Sequence, residues 1–448
     1  MSWAANGMPS ILLGGRDCRS PEMAVKAPFG SGRSNPSKPL VFAVGFGRMS
    51  CRICQASTEQ VLDLGESPPA NWLKSAPDEV QESFPLVLEW CSNCGNVQLR
   101  DALEPEVLYR DYVYVTPRSS MLQAHYDYLL SYLLADGYLS SESFVLEPGS
   151  NIGYFLEHIR NRVGRVLGVD PAERIAALAN ESGVPTISDF FNRSVAQQIT
   201  REHGLADVVV ARHCLAHNPS PHEMLDAASL ALKDDGFLVI ENAYVLNTIE
   251  NTEFDQIYHE HMFYYSIRSM NTLLGLHGMR LVDVLMSLVH GGSIIFIAQK
   301  GLDGPTRSTV HAYEPRESQY LNREAFAAFA SRTREVKDRL RELVDKLTGE
   351  GKSISTYGAT AKGNTLLNYV GINASQIPFC VDSTTMKHGK ILPGSNIEVI
   401  SEDDARASPP DYYLLTAWNY QDEIVRKVRD SGNYRSRFIV PIPFVQIV

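Results

Sequence analysis

Apolar positions along the chain follow two periods. Over residues 121–139, Leu122, Tyr126, Leu129, Leu130 and Leu133 recur near 3.6 spacing and predict an amphipathic helix. The period returns over 315–349, where Phe326, Phe329, Val336, Leu340 and Leu343 form one stripe on an otherwise charged segment. That segment reads as a solvated linker helix packed on one face. Between these stretches lie short β-branched runs that end in polar loops: 143–146, 163–169, 185–187, 206–211, 236–240, 281–285 and 293–298. Strands alternating with helix-length segments predict a doubly wound α/β sheet. A smaller set of strands at 353–357, 377–381, 411–415 and 438–442 predicts a second α/β unit with its own ligand edge.

Composition narrows the class. A chain of 448 residues holds two to three domains, and 44% apolar with 21% charged residues is ordinary for a globular protein. A formal charge of −11 argues against nucleic-acid binding. No apolar run is long enough for a membrane span. Residues 1–48 are rich in Gly, Ser, Pro and Arg and carry only Asp17 and Glu22 as acids. They read as a disordered or mis-started extension, with Met49 as the expected start.

Four of the seven cysteines form two C-x-x-C pairs, Cys51/Cys54 and Cys91/Cys94. Each pair suits a knuckle whose amides support thiolate sulfur, and four thiolates suit tetrahedral zinc with no open position. The metal is therefore expected to hold structure, in a reducing compartment. Residues 55–90 separate the pairs, more than a compact ribbon needs, so an insertion lies between the knuckles.

The sheet edges carry the candidate chemistry. The first strand ends at Glu147 and passes through Gly149-Ser-Asn151-Ile-Gly153 into a helix, and the next strand ends at Asp170. A Gly-rich turn followed by an acid at the next strand end is a nucleoside-binding arrangement, in which the backbone approaches the ligand and the acid accepts ribose hydroxyls. Asp189 and Phe190 stand after the third strand, where an acid meets an adenine amino group. The dinucleotide fingerprint G-x-G-x-x-G is absent. Asn242 ends a later strand, and Tyr258-His259-Glu260-His261 follows, flanked by Phe254, Phe263, Tyr264 and Tyr265. Two imidazoles, a carboxylate and a phenol move protons near neutral pH. The zinc-protease helix is excluded, because His259 and His261 are two apart and share no helical face. A His-rich surface turn is the other reading. His290 and Ser293 bracket two glycines at a further strand start, and Tyr112 and Tyr114 alternate in an extended segment. In the second unit, Tyr357-Gly-Ala-Thr-Ala-Lys362-Gly-Asn364 is a strand, a small-residue turn and a helix start that offers amides and a lysine to an anion.

These motifs together resemble the sugar C-methyltransferases of deoxysugar biosynthesis, over about residues 50–448. The resemblance implies a central Rossmann-like methyltransferase sheet, a small N-terminal zinc domain and a smaller C-terminal Rossmann-like α/β domain. Its boundaries fall at 49–107 for zinc, 108–305 for the methyltransferase, 306–349 for the linker helix and 350–448 for nucleotide-sugar binding. It implies S-adenosyl-L-methionine as cofactor beside structural zinc. The expected reaction is methylation of carbon 3 of a nucleotide-linked 4-keto-hexose in the cytoplasm. By position, the general base falls on His261, with Tyr258, Glu260, His217 and Tyr112 around it. The adenosyl site falls on Glu147, Gly149, Asn151, Gly153, Asp170, Asp189 and Phe190. The substrate site falls on His259, Asn242, His290, Ser293, Tyr357, Lys362 and Asn364. The chain departs from the family at Ile152, where Asp is frequent, and at Arg212-His213-Cys214. The competing functions are an O- or N-methyltransferase using the same sheet and a silent sugar-nucleotide-binding protein. The oligomeric state is not readable.

Overall fold

The computed structural model describes residues 50–109, 115–287 and 289–448, so Tyr112 and Tyr114 lie outside the described residues. Three sheets organise the chain. In the first, β1 (Glu59–Ser67), β2 (Phe84–Trp90) and β3 (Val97–Leu99) run antiparallel. The cysteine knuckles precede β1 and join β2 to β3. The insertion expected between the knuckles is β1, β2 and a connection over residues 68–83.

The second sheet is the doubly wound one. Strands β4 (Phe144–Pro148), β5 (Arg165–Val169), β6 (Thr186–Ile187), β7 (Ala206–Arg212) and β8 (Leu232–Ala243) are parallel in the order β6-β5-β4-β7-β8. The chain then leaves this sheet. The two-residue β9 (Phe263–Tyr264) pairs with β3, placing Val97 opposite Tyr264 and Gln98 opposite Phe263. It returns as a hairpin, β10 (Met279–Ser287) and β11 (Ser293–Lys300), with β11 antiparallel to β8.

The third sheet repeats the order of the second sheet's five parallel strands. It comprises β12 (Ile354–Tyr357), β13 (Phe379–Val381), β14 (Glu398–Ile400), β15 (Tyr412–Leu415), β16 (Arg437–Val440) and β17 (Gln446–Ile447). Its order is β14-β13-β12-β15-β16-β17, parallel except for the last strand. Each doubly wound sheet reverses its strand order beside its first strand, at β4/β7 and at β12/β15, and such reversals open ligand crevices at the carboxyl edge.

The helix read from 121–139 spans Ser120–Ala135. Ser119 caps it, and Leu122, Tyr126, Leu129, Leu130 and Leu133 are buried against the central sheet. Each leucine buried there contributes about 2 kcal/mol. The stretch read as one helix over 315–349 is broken. Glu314–Tyr320 ends before Asn322, whose side chain caps a new helix, Arg323–Gly349. The buried stripe of the latter ends on Val344 and Leu347 instead of Leu343, as 3.6 spacing from Leu340 requires. Its packed face meets other elements: Phe326 packs on Trp90 at 5.2 Å, and Arg332 donates to the Ile249 carbonyl.

Candidate active site

Strand β8 brings the chain to the carboxyl edge of the central sheet, and β9 begins in the first sheet, so residues 244–262 span the gap. They do so with a helix, Val245–Glu250, a 3-10 turn, Phe254–Gln256, and a tight turn through 257–262. This span is enclosed. Phe254, Phe263, Tyr264 and Tyr265 are buried, and His259 and Glu260 are each 1% exposed. The surface-turn reading fails on that burial.

Within the turn, the Tyr258 hydroxyl lies 2.7 Å from His261 Nε2, with ring centroids 4.0 Å apart. His261 Nδ1 lies 2.9 Å from the Gln256 carbonyl oxygen. A carbonyl only accepts, so Nδ1 carries the hydrogen, and in the neutral ring Nε2 presents its lone pair to the Tyr258 O–H. The backbone therefore sets the tautomer. A proton arriving at Nε2 makes an imidazolium whose Nδ1–H already points at a carbonyl dipole, so the charge forms without reorganisation.

His217 enters from the turn Leu215–His217 after β7. Its ring stacks on Tyr109 (5.9 Å, 9°) and lies 5.0 Å from His261. Burial pushes His217 down to about 4, so it is neutral. Its Nε2 is buried without a hydrogen-bond partner among the described residues. The Tyr109 hydroxyl bridges the carbonyls of His217 and Glu260 at 3.3 Å each. Glu260 Oε1 accepts from Asn71 Nδ2 at 3.0 Å, and burial raises its pKa. His259 turns the other way, donating from Nε2 to the Phe84 carbonyl at 3.3 Å, and burial pushes it down to about 4. Tyr258, His261 and His217 thus converge with Glu260 beside them, whereas His259 packs on the first sheet.

The Gly turn opens at the β4/β7 reversal. Gly149, Asn151 and Gly153 have φ of 68°, 51° and 70°. Asp170 braces the turn, its Oδ2 accepting from Asn151 N (2.8 Å) and its Oδ1 from Ala172 N (3.0 Å). The glycines have a further reason than ligand approach. A Cβ on Gly149 would fall 2.6 Å from Cys214 Cβ, and one on Gly153 2.8 Å from Val184 Cγ1. Below the turn, Glu147 is fully buried and takes Arg212 Nε and Nη2 at 2.9 and 2.8 Å. Burial lifts Glu147 to about 7, opposed by Arg212, whose guanidinium lies over Tyr126 and Phe155. Glu147 Oε2 and Ser150 Oγ are buried without partners among the described residues. Orphaned acceptors beside a left-handed turn at a sheet reversal fit a nucleoside that brings hydroxyl and ammonium donors. Asp189 is exposed and accepts from Phe190 N at 2.7 Å, at the open end of β6.

The four knuckle sulfurs lie within 4.8 Å of one another, with Cys51–Cys94 at 3.6 Å and Cys54–Cys91 at 3.5 Å. Tetrahedral Zn–S bonds of about 2.3 Å give sulfur separations of about 3.8 Å, so this set fits zinc. Ile53 N donates to Cys51 Sγ at 3.4 Å, and Asn93 Nδ2 to Cys54 Sγ at 3.4 Å.

The remaining residues read from the sequence scatter. Asn242 Oδ1 accepts from Ala216 N at 3.3 Å and so holds the His217 turn. Ser293 is buried and donates to the Val289 carbonyl at 3.1 Å, within the protein's own turn. The His290 side chain lies outside the described residues. Tyr357 donates to Glu402 at 2.6 Å inside the C-terminal unit, beside a cavity of about 80 Å³. Lys362 Nζ lies 5.2 Å over the Trp418 ring. Asn364 Nδ2 donates to the Ala70 carbonyl at 2.6 Å. Sequence reasoning missed Tyr109, Asn71 and Trp418, whose Nε1 donates to the buried Asp255 at 2.6 Å. Asp255 lies between Phe254 and the Tyr258–His261 motif; Asn71 and Trp418 carry no local signal.

Three family models tile the chain. A "Putative zinc binding domain" matches residues 51–109, a "Methyltransferase domain" 121–284 and a "C-methyltransferase C-terminal domain" 288–443. Among solved structures, magnesium protoporphyrin IX methyltransferase from Synechocystis PCC 6803 is 17% identical with TM-score 0.34, covering 45% of this chain and 99% of its own. The N-methyltransferase NodS from Bradyrhizobium japonicum WM9 is 15% identical with TM-score 0.32, covering 41% and 98%. Neither bears on what this chain does. C-methyltransferase NovU of Streptomyces niveus is 39% identical over 404 residues, 89% of this chain and 96% of its own. With 39% identity over 89% of its length, the chain belongs to the C-methyltransferase family.

Proposed function

We propose that this C-methyltransferase acts on carbon 3 of a nucleotide-linked 4-keto-(di)deoxyhexose through a base-generated enolate, with S-adenosyl-L-methionine as methyl donor. The observation that carries the reading is His261, held by the Gln256 carbonyl at 2.9 Å and facing the Tyr258 hydroxyl at 2.7 Å. A carbon beside a ketone is a weak acid, so its methylation needs a base together with a donor for the enolate oxygen. His261 Nε2 takes the proton. Tyr258, with the neutral rings of His217 and the Tyr112 side, holds the oxygen, and Glu260 Oε2 accepts a sugar hydroxyl. Bound S-adenosyl-L-methionine supplies an electrophilic methyl group on its sulfonium. Glu147, Gly149, Asn151, Gly153, Asp170, Asp189 and Phe190 would hold it.

In this reading residues 49–107 carry the zinc, 108–305 bind the donor, 306–349 connect, and 350–448 face the nucleotide. A groove of about 810 Å³ lined by Ser120, Met121, Trp418, Tyr420 and Arg426, where the C-terminal unit meets the start of the Ser120–Ala135 helix, supports this reading by offering it room. A four-cysteine zinc set needs its thiols reduced, which supports a reducing compartment such as the cytoplasm.

The test is exchange of the carbon 3 hydrogen with deuterated solvent in the absence of methyl donor, followed by NMR of the methylated product. The wild type exchanges. His261→Ala does not, turns over about 10²- to 10⁴-fold more slowly, and keeps its calorimetric affinity for the donor. A His261→Ala protein that exchanges at the wild-type rate removes His261 as the base, and a product methylated on oxygen or nitrogen removes the reading.

A further inference from the structure

Between the knuckles, residues 68–77 form a strap that touches all three sheets' units. Pro68-Pro69 fixes its entry, since proline locks φ. Ala70 and Asn71 then make two contacts in opposite directions. The Ala70 carbonyl accepts from Asn364 Nδ2 at 2.6 Å, from the first helix of the C-terminal unit. The next residue, Asn71, donates from Nδ2 to Glu260 Oε1 at 3.0 Å, in the catalytic turn. Downstream, buried Lys74 donates to Asn396 Oδ1 at 2.8 Å and to the Pro77 carbonyl at 2.6 Å. Its backbone pairs with Ile391 (2.8 and 3.0 Å). Trp72 stands edge-on to Phe84 at 6.5 Å.

Glu260 is less fully satisfied than the buried carboxylate of Glu317, a state it shares with Glu89 and Asp255. Buried Glu317 fills both oxygens, with Tyr244 Oη and Ile267 N at Oε1 (2.9 and 2.6 Å) and Arg268 N at Oε2 (3.2 Å). Glu260 has one side-chain donor, on Oε1, and Oε2 is buried without a partner among the described residues. A carboxylate gripped on one oxygen and open on the other is aimed at an incoming donor.

We propose that Asn71 and Asn364 are positioning residues, and that strap 68–77 is how docking of the C-terminal unit sets the direction of the Glu260 carboxylate. Asn364 Nδ2 then acts through Ala70 and Asn71. The proposal rests on Glu260 serving the reaction as read above. Because the two links run through consecutive residues, either substitution releases the same carboxylate, and their effects should not multiply.

The experiment compares Asn71→Ala, Asn364→Ala, the double variant and Glu260→Gln in full-length, zinc-loaded protein. Turnover is measured on a thymidine diphosphate 4-keto-6-deoxyhexose, with donor affinity followed by calorimetry. Each single variant is expected to lose about 10-fold in kcat at unchanged donor affinity, and the double variant no more than the worse single. In Asn71→Ala the acid limb of the kcat–pH profile moves to higher pH, because the carboxylate loses its donor; a merely structural contact leaves that limb in place. If alanine variants lose donor affinity, the isosteric Asn71→Asp and Asn364→Asp are judged by the same criteria. Effects that multiply in the double variant, or single variants that turn over like wild type while Glu260→Gln is impaired, overturn the proposal. A fully active Glu260→Gln overturns the reading of the site on which it rests.

Discussion

Tyr258 has its hydroxyl on the one nitrogen of His261 that the proposed mechanism uses to take the substrate proton, so its loss is informative. Tyr258→Phe frees that lone pair but removes the donor proposed for the enolate oxygen. Turnover should fall about 10²-fold, the scale for one oxyanion donor, while carbon 3 exchange falls less. Nitrogen NMR should still show the hydrogen on His261 Nδ1, because the Gln256 carbonyl keeps it there. The neighbouring His259 makes a different prediction. Burial holds it at about 4, below the 6.5 of an exposed histidine. Between those values the unfolded chain binds more protons, so stability rises with pH, and falls as pH drops from 6.5 towards 4. The shift corresponds to about 3 kcal/mol at most. His259→Gln should flatten that acid loss in urea titrations at pH 5 and 7. An unchanged slope would show that His259 is not the group. In the sequence, His259 and His261 are equivalent imidazoles two apart. What separates them is a turn that sends one ring to Phe84 and the other to Tyr258, and that is decided by β9 pairing with β3, far along the chain.

At the scale of elements, the catalytic turn is hung between structures whose periods were legible. The strand runs, the Gly turn with Asp170, and the stripe of the Ser120–Ala135 helix follow from burial on one face, which local spacing encodes. The strap is different. Residues 68–77 have no period, and their meaning lies in partners such as Glu260 and Asn364, hundreds of positions away. The knuckles join this arrangement through β3. Arg52 N donates to Gln98 Oε1 at 2.9 Å, Leu99 N donates to the Met262 carbonyl at 2.9 Å, and His222 Nε2 donates to the carbonyls of Arg52 and Ile53 at 3.0 Å each. Zinc removal should therefore loosen β3, then β9, and then the His261 turn, without first reaching the Gly turn. We expect Cys91→Ser, or chelation of the wild type, to abolish carbon 3 exchange while calorimetric donor affinity stays within a few-fold. Metal analysis showing no zinc in a folded, fully active preparation would refute the assignment.

Over the whole molecule, two doubly wound sheets share the order of their first five strands. Each braces the turn after its own first strand in a matching way: Asp170 Oδ2 accepts from Asn151 N, and Asp382 Oδ2 from Ala359 N at 2.7 Å. The second unit's lysine was legible as a polar residue at a helix start, but not its surroundings. Lys362 acts on two buried acids of the catalytic segment. Burial pushes Glu253 up to about 7 and raises Asp255, and the Lys362 charge pulls both back. The sign of the linkage follows. A carboxyl whose folded pKa exceeds its unfolded value binds more protons when folded, so its contribution is complete below about 4.5 and is lost as pH rises through about 7. Lys362→Met removes the opposing pull, lifts both acids further and extends that loss above pH 7. In urea titrations the variant should lie close to wild type at pH 5 and fall about 1–2 kcal/mol below it at pH 8, a figure reduced because Lys362 is only half-buried. Trp418 still donates to Asp255, so the units stay docked. A lysine that served only to bind phosphate would instead raise the KM for the nucleotide sugar and leave the stability gap equal at the two pH values. Both signatures together would mean that the phosphate enters beside these acids, with Lys362 neutralising each in turn.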